Sequence, residues 1–239
     1  MSSDLDQALR VRQQARARRR NRRITLGALI ALVLAGLVWL VGFSPLLVVD
    51  DVEVTGTALT SPDDVVAAAA VPTGTPLARV DAGAVTGRVE QLTTVADARL
   101  VRAWPRTVRI EITERTAVYQ IAQDPGYGQV DAEGVVFVTS TERAAAPLAT
   151  LADADDQDLR ADVATATNAL PQDVRDRLTA IEAGSMDSIS FRIDDDRTTI
   201  FWGSAEQSGE KASVIEALLA QGGDYTTYDV SAPSRPAVS

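Results

Sequence analysis

Four aspartates lie within one six-residue stretch of the second half of the chain, and carboxylates at such spacing are ligands that calcium prefers. They are Asp153, Asp155, Asp156 and Asp158. A helix-flanked calcium loop needs glycine at its sixth position and glutamate at its twelfth, but Asp158 and Ala164 occupy those positions here. The pattern therefore indicates the solvated acidic start of a helix, and we predict no metal site.

The residues that most often carry out catalysis are missing from the composition. The chain has no cysteine and no histidine, which removes the usual nucleophile, general base and zinc ligands. Gly126 and Gly128 do not begin a dinucleotide-binding loop, because Asp131 stands at its sixth position. Residues 203–209 contain serines but no G-x-S-x-G motif. Although composition leaves two-carboxylate hydrolysis open, we predict a protein that is not an enzyme and has no cofactor.

Aromatic residues near the end of the chain could stack on a ligand. They are Phe201, Trp202, Tyr225 and Tyr228. Aromatic residues on alternating strands belong more often to the core. We therefore expect a core position for Phe201 or Trp202, and the two tyrosines are less clearly assigned.

The charge of the chain is divided sharply. Residues 1–23 hold eight arginines and two aspartates, whereas the rest holds 15 basic and 31 acidic residues. An acidic bulk repels nucleic acid, because duplex binding requires clustered Lys and Arg to neutralise phosphates. We therefore exclude nucleic acid as a partner of this bulk. The arginine run itself could still act as a patch for anionic lipid or nucleic acid.

A membrane span follows the arginine run. Residues 24–43 carry no charge, and a helix of that length covers roughly 30 Å, the thickness of a bilayer core. The arginines precede this segment and Asp50 and Asp51 follow it, so the positive-inside rule places the N-terminus in the cytoplasm. The apolar run is too long for a cleaved signal peptide, and we predict an uncleaved anchor with an extracytoplasmic C-terminal region.

The residues after the span indicate a small α+β unit. Alternation predicts strands around Val52 and Val54, over residues 95–101 and over residues 107–114. Ser61 and Pro62 begin a helix that Pro72 and Gly74 should end, and residues 81–92 form a second, weaker helix. The predicted order is strand, helix, helix, strand, strand.

The second half predicts two hairpins and two helices. The hairpins span residues 129–138 and 189–202, and an aspartate turn at residues 194–196 lies within the latter. The helices cover residues 153–177 and 209–221. A last strand is expected over residues 225–230.

In this order, the segments resemble the FtsQ/DivIB family of bacterial cell division proteins. The most specific stretch is WPRTVRIEITER at residues 104–115, and FWGSAEQSGEKASVIEALL and YDVSAPSRPAV are similar to the family's second domain. The resemblance implies an α+β protein with a single transmembrane helix, a POTRA domain of β-α-α-β-β order and a mixed α/β domain dominated by antiparallel sheet. The predicted ranges are 1–23 for the cytoplasmic tail, 24–43 for the transmembrane helix, 47–115 for the POTRA domain, 116–232 for the β domain and 233–239 for a C-terminal tail.

The resemblance also implies a docking strand. In the family, a C-terminal β strand pairs with the coiled-coil protein FtsB (DivIC), which is joined to FtsL. On this chain the partner-binding residues would be Tyr228, Asp229, Val230, Ser231, Ala232 and the continuation through Val238. Pro233 and Pro236 lie inside that segment and, because proline cannot donate to a ladder, either break the pairing or protect the edge.

The expected function is therefore that of a divisome scaffold at the division septum, which docks the FtsB/DivIC–FtsL complex and helps to control septal peptidoglycan synthesis. The alternative is a POTRA-bearing envelope protein that handles polypeptides in secretion or assembly. Such proteins usually carry repeated POTRA units or a following barrel, and neither pattern is visible in the sequence. An anchored cell-wall hydrolase would lack a candidate base.

Overall fold

The structure is a computed structural model that describes residues 25–239. Its first element is α1 (Thr25–Phe43), 19 apolar residues that are long enough to cross a membrane. The side chains of α1 are exposed along almost the whole helix, as expected for a segment that lipid surrounds. The predicted cytoplasmic tail, residues 1–23, lies outside the described residues.

The described chain divides into two compact units. The first comprises the described residues up to Thr57 together with Ser61–Val89 and Ala98–Ile112. The second comprises Ala58–Thr60, Glu90–Asp97 and Thr113–Ser239. Two short pieces of the N-terminal half therefore group with the C-terminal half.

A three-stranded sheet lies mainly in the first unit, although residues 95–97 and 113–114 of its strands group with the second. Its strands are β1 (Asp51–Thr55), β2 (Val95–Ala103) and β3 (Thr107–Glu114), in the order β1-β3-β2. β1 runs parallel to β3, with Val52 opposite Val108 and Val54 opposite Ile110. Gly56 ends β1 at φ +89°, and a Cβ at this position would lie 2.1 Å from the carbonyl oxygen of Ile112. This close approach requires glycine.

Two short helices pack on this sheet. They are α2 (Pro62–Ala69) and α3 (Ala82–Val89), and their buried residues are Val65, Ala69, Val85 and Val89. Ser61 occupies the N-cap of α2 without a side-chain capping bond, and the helix ends at Ala70 in the left-handed conformation, before Pro72. The predicted order of strand, helix, helix, strand, strand is confirmed, while both helices are shorter than predicted.

A nine-stranded mixed sheet organises the second unit, in the order β12-β11-β10-β9-β8-β7-β4-β5-β6. The strands are β4 (Tyr119–Ala122), β5 (Tyr127–Val130), β6 (Val136–Ser140), β7 (Leu148–Leu151), β8 (Leu178–Ala183), β9 (Ile189–Ile193), β10 (Thr198–Gly203), β11 (Thr227–Asp229) and β12 (Ala237–Val238). Five of the eight neighbouring pairs among these strands are antiparallel. The predicted mixed domain with a mainly antiparallel sheet is confirmed.

One hydrophobic core holds the second unit together. It lies between the sheet and the helices α4 (Gln157–Ala169), α5 (Gln172–Arg175) and α6 (Ser208–Gln221). Trp202 is fully buried and its ring meets Phe191 edge-on at 5.6 Å, so the predicted core aromatic is Trp202. Phe201 faces the other side of the sheet and is 38% exposed.

The segment that sequence predicted as one helix over residues 153–177 is divided. α4 ends at Leu170, Pro171 precedes the single turn of α5, and Leu178 begins strand β8 instead of extending a helical face. Pro171 explains the break, because the residue before a proline is disfavoured in helical conformation. Strands β4, β7 and β8 were not predicted.

Candidate partner-binding edge

The last part of the second unit is a hairpin at one side of the sheet. β11 runs parallel to β10, and Thr227, Tyr228 and Asp229 lie opposite Thr199, Ile200 and Phe201. The amide of Val230 donates to the carbonyl oxygen of Phe201 at 2.9 Å, which extends this pairing beyond β11. Helix α6 connects the two strands, as parallel pairing requires a crossover.

A tight turn then reverses the chain. The Asp229 carboxylate accepts hydrogen bonds from the amide and the hydroxyl of Ser231, at 2.9 and 2.7 Å. The amide of Arg235 donates to the carbonyl oxygen of Ala232 at 2.9 Å, which places Pro233 at the second position of a β-turn. Proline suits that position because its φ is already fixed there.

After the turn, β12 pairs antiparallel with β11. Val238 lies opposite Tyr228, and Ala237 lies opposite Asp229. Thr227 and Ser239 exchange both backbone hydrogen bonds at 3.0 Å. The last residues therefore belong to the sheet and are not a separate tail.

This arrangement corrects the expected position of the free edge. Tyr228 and Asp229 are flanked by β10 on one side and by β12 on the other, so they do not offer an unpaired edge. Tyr228 and Val230 are buried, and Ser231 and Ala232 are exposed in the turn. Of the six predicted partner-binding residues, only Val238 lies on the outermost strand.

The backbone of β12 alternates between its two sides. Because Thr227 and Ser239 form a hydrogen-bonded pair, the neighbouring pair of Tyr228 and Val238 is a non-hydrogen-bonded one. The N–H and C=O of Val238 therefore point outward, away from β11. The next outward position is Pro236, which has a carbonyl oxygen but no N–H. The outward donor of β12 is thus the amide of Val238.

Apolar side chains accompany this edge. Tyr225 meets Tyr228 edge-on at 6.1 Å, and Tyr228 in turn lies beside Val238 across the ladder. Tyr225 is 43% exposed and Val238 is 36% exposed. A partner side chain beside Val238 would therefore meet apolar surface. Strand β12 was not predicted from the sequence, although the serines and prolines of residues 231–236 are typical of a turn.

The loop behind the hairpin is fixed by buried polar contacts. The Trp202 indole N–H donates to Ser208 Oγ at 3.1 Å, and Lys211 Nζ donates to the carbonyl oxygen of Ser204 at 2.7 Å. Burial lowers the pKa of Lys211 below its ordinary value. Gly203 has φ +75°, and a Cβ there would lie 2.8 Å from Ser231 Cβ, so this glycine allows the turn to pack against β10.

Two of the four aspartates considered for metal binding, Asp153 and Asp156, accept hydrogen bonds from backbone amides. Asp156 caps α4 by accepting from the amides of Asp158 and Leu159. Asp194, Asp195 and Asp196 all have positive φ in the β9–β10 turn, as predicted for that turn. A bidentate hydrogen bond from Arg177 lowers the pKa of Asp194. Within residues 25–239 no cluster of three or more acidic residues has the arrangement of a metal site.

Two family models match the chain in succession. The POTRA domain, FtsQ-type, matches residues 47–115, and the C-terminal domain of the cell division protein FtsQ/DivIB matches residues 120–231. A cell division protein FtsQ of Streptomyces bingchenggensis (strain BCW-1) is 34% identical over 240 residues, which cover 96% of this chain and 90% of the relative. A cell division protein FtsQ of Mycobacteroides abscessus is 36% identical over 217 residues, or 90% of this chain and 69% of the relative. The chain therefore belongs to the FtsQ/DivIB family of cell division proteins.

Proposed function

We propose that this single-pass membrane protein is a non-enzymatic scaffold of the divisome, which docks an extended segment of a partner on the outer edge of β12. By the family resemblance, the partner is an FtsB/DivIC-like protein joined to an FtsL-like protein. Through this complex the chain helps to control septal peptidoglycan synthesis. Both matched families are FtsQ types, which favours division over the alternative role in secretion or assembly.

The observation that carries the proposal is the outer side of β12, at the end of a nine-stranded sheet, with which no other strand of residues 25–239 pairs. An edge strand recognises another chain through main-chain hydrogen bonds, and neighbouring side-chain contacts add specificity. The amide and carbonyl of Val238 supply the backbone contacts, and the exposed parts of Tyr225 and Val238 supply apolar contacts. This mode of recognition needs neither a nucleophile nor a general base, consistent with a chain that has no cysteine and no histidine.

The edge is short, so side chains must contribute to affinity. A partner strand beside β12 would alternate its side chains between the face of Val238 and Tyr228 and the face of Ala237 and Asp229. The latter face also carries Phe201, which lies opposite Asp229 and is 38% exposed. We expect an apolar partner residue on each face.

The proposed orientation places both units outside the cytoplasm. It rests on the arginines before α1 and the aspartates after it. In this orientation β12 is available to the extracytoplasmic segments of other single-span division proteins.

The sharpest test is Val238→Pro. Proline removes the outward N–H and retains the extended backbone that β12 needs, so binding of an FtsB/DivIC-like segment should weaken roughly tenfold or more. The matched control is Val238→Ala, which keeps the N–H and should weaken binding less. Affinity is measured by calorimetry on the full chain, and circular dichroism checks that the fold is intact.

Undiminished binding by Val238→Pro would contradict docking on β12. A second possibility is that the partner displaces β12 and pairs with β11 instead. A chain that ends after Pro236 distinguishes the two, because displacement predicts tighter binding to the shortened chain and docking on β12 predicts weaker binding. Val230→Pro would not test docking on β12, because Val230 is buried and its amide donates to the carbonyl oxygen of Phe201 within the domain's own sheet.

A further inference from the structure

The end of the membrane helix contacts a basic side chain of the first unit. The guanidinium carbon of Arg79 lies 4.0 Å from the ring centroid of Phe43, the last residue of α1. Such cation–π contact holds the charge beside the aromatic ring. Because Phe43 ends the apolar span, Arg79 lies at the level where the bilayer meets water.

The backbone around Arg79 is firmly attached to the segment that leaves the membrane. The amide of Val49 donates to the carbonyl oxygen of Thr75, and the amide of Gly74 donates to that of Val49, both at 2.8 Å. Arg102 donates to the carbonyl oxygens of Leu77 and Val80, at 3.0 and 2.7 Å, on either side of Arg79. These contacts fix Arg79 close to the membrane end of its unit.

Arg79 also lines a pocket that holds a second arginine. The lining includes Pro72, Thr75, Arg79, Asp81, Ala84 and Arg88. Neither Arg79 nor Arg88 takes part in an ion pair among residues 25–239. Arg88 Nε donates to the carbonyl oxygen of Ala69 at 3.1 Å, which aligns its guanidinium. The carboxylate in the lining, Asp81, accepts from the amide of Ala84 at 3.1 Å and so caps α3.

We propose that this pocket binds the headgroup phosphate of an anionic phospholipid in the leaflet where α1 ends. Two guanidinium groups without carboxylate partners match a phosphate in charge and in hydrogen-bonding geometry. The apolar residues of the pocket match the glycerol and upper acyl region. The site adds an electrostatic attachment that orients the first unit on the membrane surface.

Neighbouring exposed side chains favour a bilayer over a free anion as the source of the phosphate. Leu46 is 70% exposed in the 3-10 turn directly after the span, and Trp39 and Phe43 are 62% and 57% exposed near the end of α1. Apolar and aromatic side chains at this level bury themselves in the interface. Arg79, which lines the pocket, thus also contacts Phe43 at the end of the span.

Hydrogen–deuterium exchange on the full chain in nanodiscs tests the proposal. Amides of residues 72–88 should exchange more slowly in discs that contain phosphatidylglycerol than in discs of phosphatidylcholine alone. Arg79→Gln should weaken the protection, and Arg79→Gln/Arg88→Gln should abolish it, since each arginine near an anionic surface contributes roughly fivefold in affinity. Arg79→Gln alone leaves the Arg88–Ala69 hydrogen bond intact, so its effect is separable from damage to the fold.

The matched control for Arg79→Gln is Arg99→Gln, which removes the same charge from β2 outside the pocket and should retain full protection. Equal exchange in the two kinds of disc would overturn the proposal, as would protection that survives in the Arg79→Gln/Arg88→Gln variant. Inorganic phosphate added to phosphatidylcholine discs must not reproduce the protection; if it does, the site binds a free anion and the proposal fails.

Discussion

Glu114 shows how one carboxylate can order a stretch of backbone. Within the second unit it accepts hydrogen bonds from three consecutive amides, those of Ala58 at 3.0 Å, Leu59 at 2.9 Å and Thr60 at 2.7 Å. Burial acts to raise the pKa of Glu114, but the amides of Thr60, Leu59 and Ala58 outweigh it and lower the pKa to about 2. The ionised side chain is therefore part of the fold.

We predict that Glu114→Gln removes a pH-dependent part of the stability. The pKa in the folded chain, about 2, lies below the ordinary value of 4.5, so this contribution is complete above pH 4.5 and is lost as the pH falls toward 2. Because the site is largely exposed to solvent, we expect about 1–2 kcal/mol at pH 7. Urea unfolding of both proteins between pH 3 and 7 measures this.

The difference in unfolding free energy between the two proteins should shrink as the pH falls. A difference that stays constant over this range would show that the charge of Glu114 plays no part. The neighbouring Glu111→Gln is a suitable control, because it removes the same charge from the same strand.

Helix α4 likewise depends on one carboxylate that accepts hydrogen bonds from backbone amides. Asp156 stands at its N-cap and accepts from the amides of Asp158 at 2.9 Å and Leu159 at 3.2 Å. These bonds satisfy two amides that have no partner inside the helix. The cap fixes where the helix begins and so directs Leu159 and Val163 into the core.

Asp156→Ala is therefore expected to lower the unfolding free energy by about 1 kcal/mol. Asp155→Ala removes the same charge from an exposed neighbour that does not cap the helix, and it should change the free energy by less than about 0.5 kcal/mol. Thermal unfolding with and without calcium measures both effects. Equal losses in the two variants would refute the capping role, and a calcium-dependent rise in the midpoint would contradict the prediction of no metal site.

The elements that sequence predicted share strong local signals. β3 and β9 alternate apolar and polar residues without interruption, and the three left-handed aspartates mark the β9–β10 turn. β4, β7 and β12 are only two to four residues long, too short for alternation to identify. They exist because distant strands pair with them: β7, for example, lies between β4 and β8. Such pairing is a property of the folded sheet and leaves little trace in the local sequence.

At the scale of the whole molecule, the candidate site depends on pairing between strands, which leaves little trace in the local sequence. The resemblance predicted partner binding within residues 228–238, and of the six predicted residues only Val238 lies on the outermost strand. Residues 231–236 reverse the chain, so that β12 pairs with the outer side of β11. Strand β11 therefore lies inside the sheet, and β12 is outermost. The sequence could therefore suggest a segment for the candidate site, but it could not give the strand order that determines which residues lie at the edge.

The orientation of the whole chain is directly testable. With the N-terminus in the cytoplasm, protease added to intact spheroplasts should degrade both units and leave an epitope tag at the N-terminus protected. Immunoblots against that tag and against a C-terminal tag measure the outcome. Moving arginines from before α1 to after Asp51 provides a control, because it should reverse the pattern. Protection of the C-terminal tag in the unaltered protein would contradict the orientation.

The sheet order of the second unit links assembly to biosynthesis. β10, β11 and β12 form one side of the sheet in the order in which a ribosome makes them, and each needs its predecessor as a template. β11 joins β10 only after α6 has been made, and β12 can settle only against β11. The edge that we assign to the partner is thus the last piece of the sheet to appear. If the proposed docking is correct, a chain that lacks residues 237–238 has no β12 edge, so the partner would bind only after this hairpin has folded.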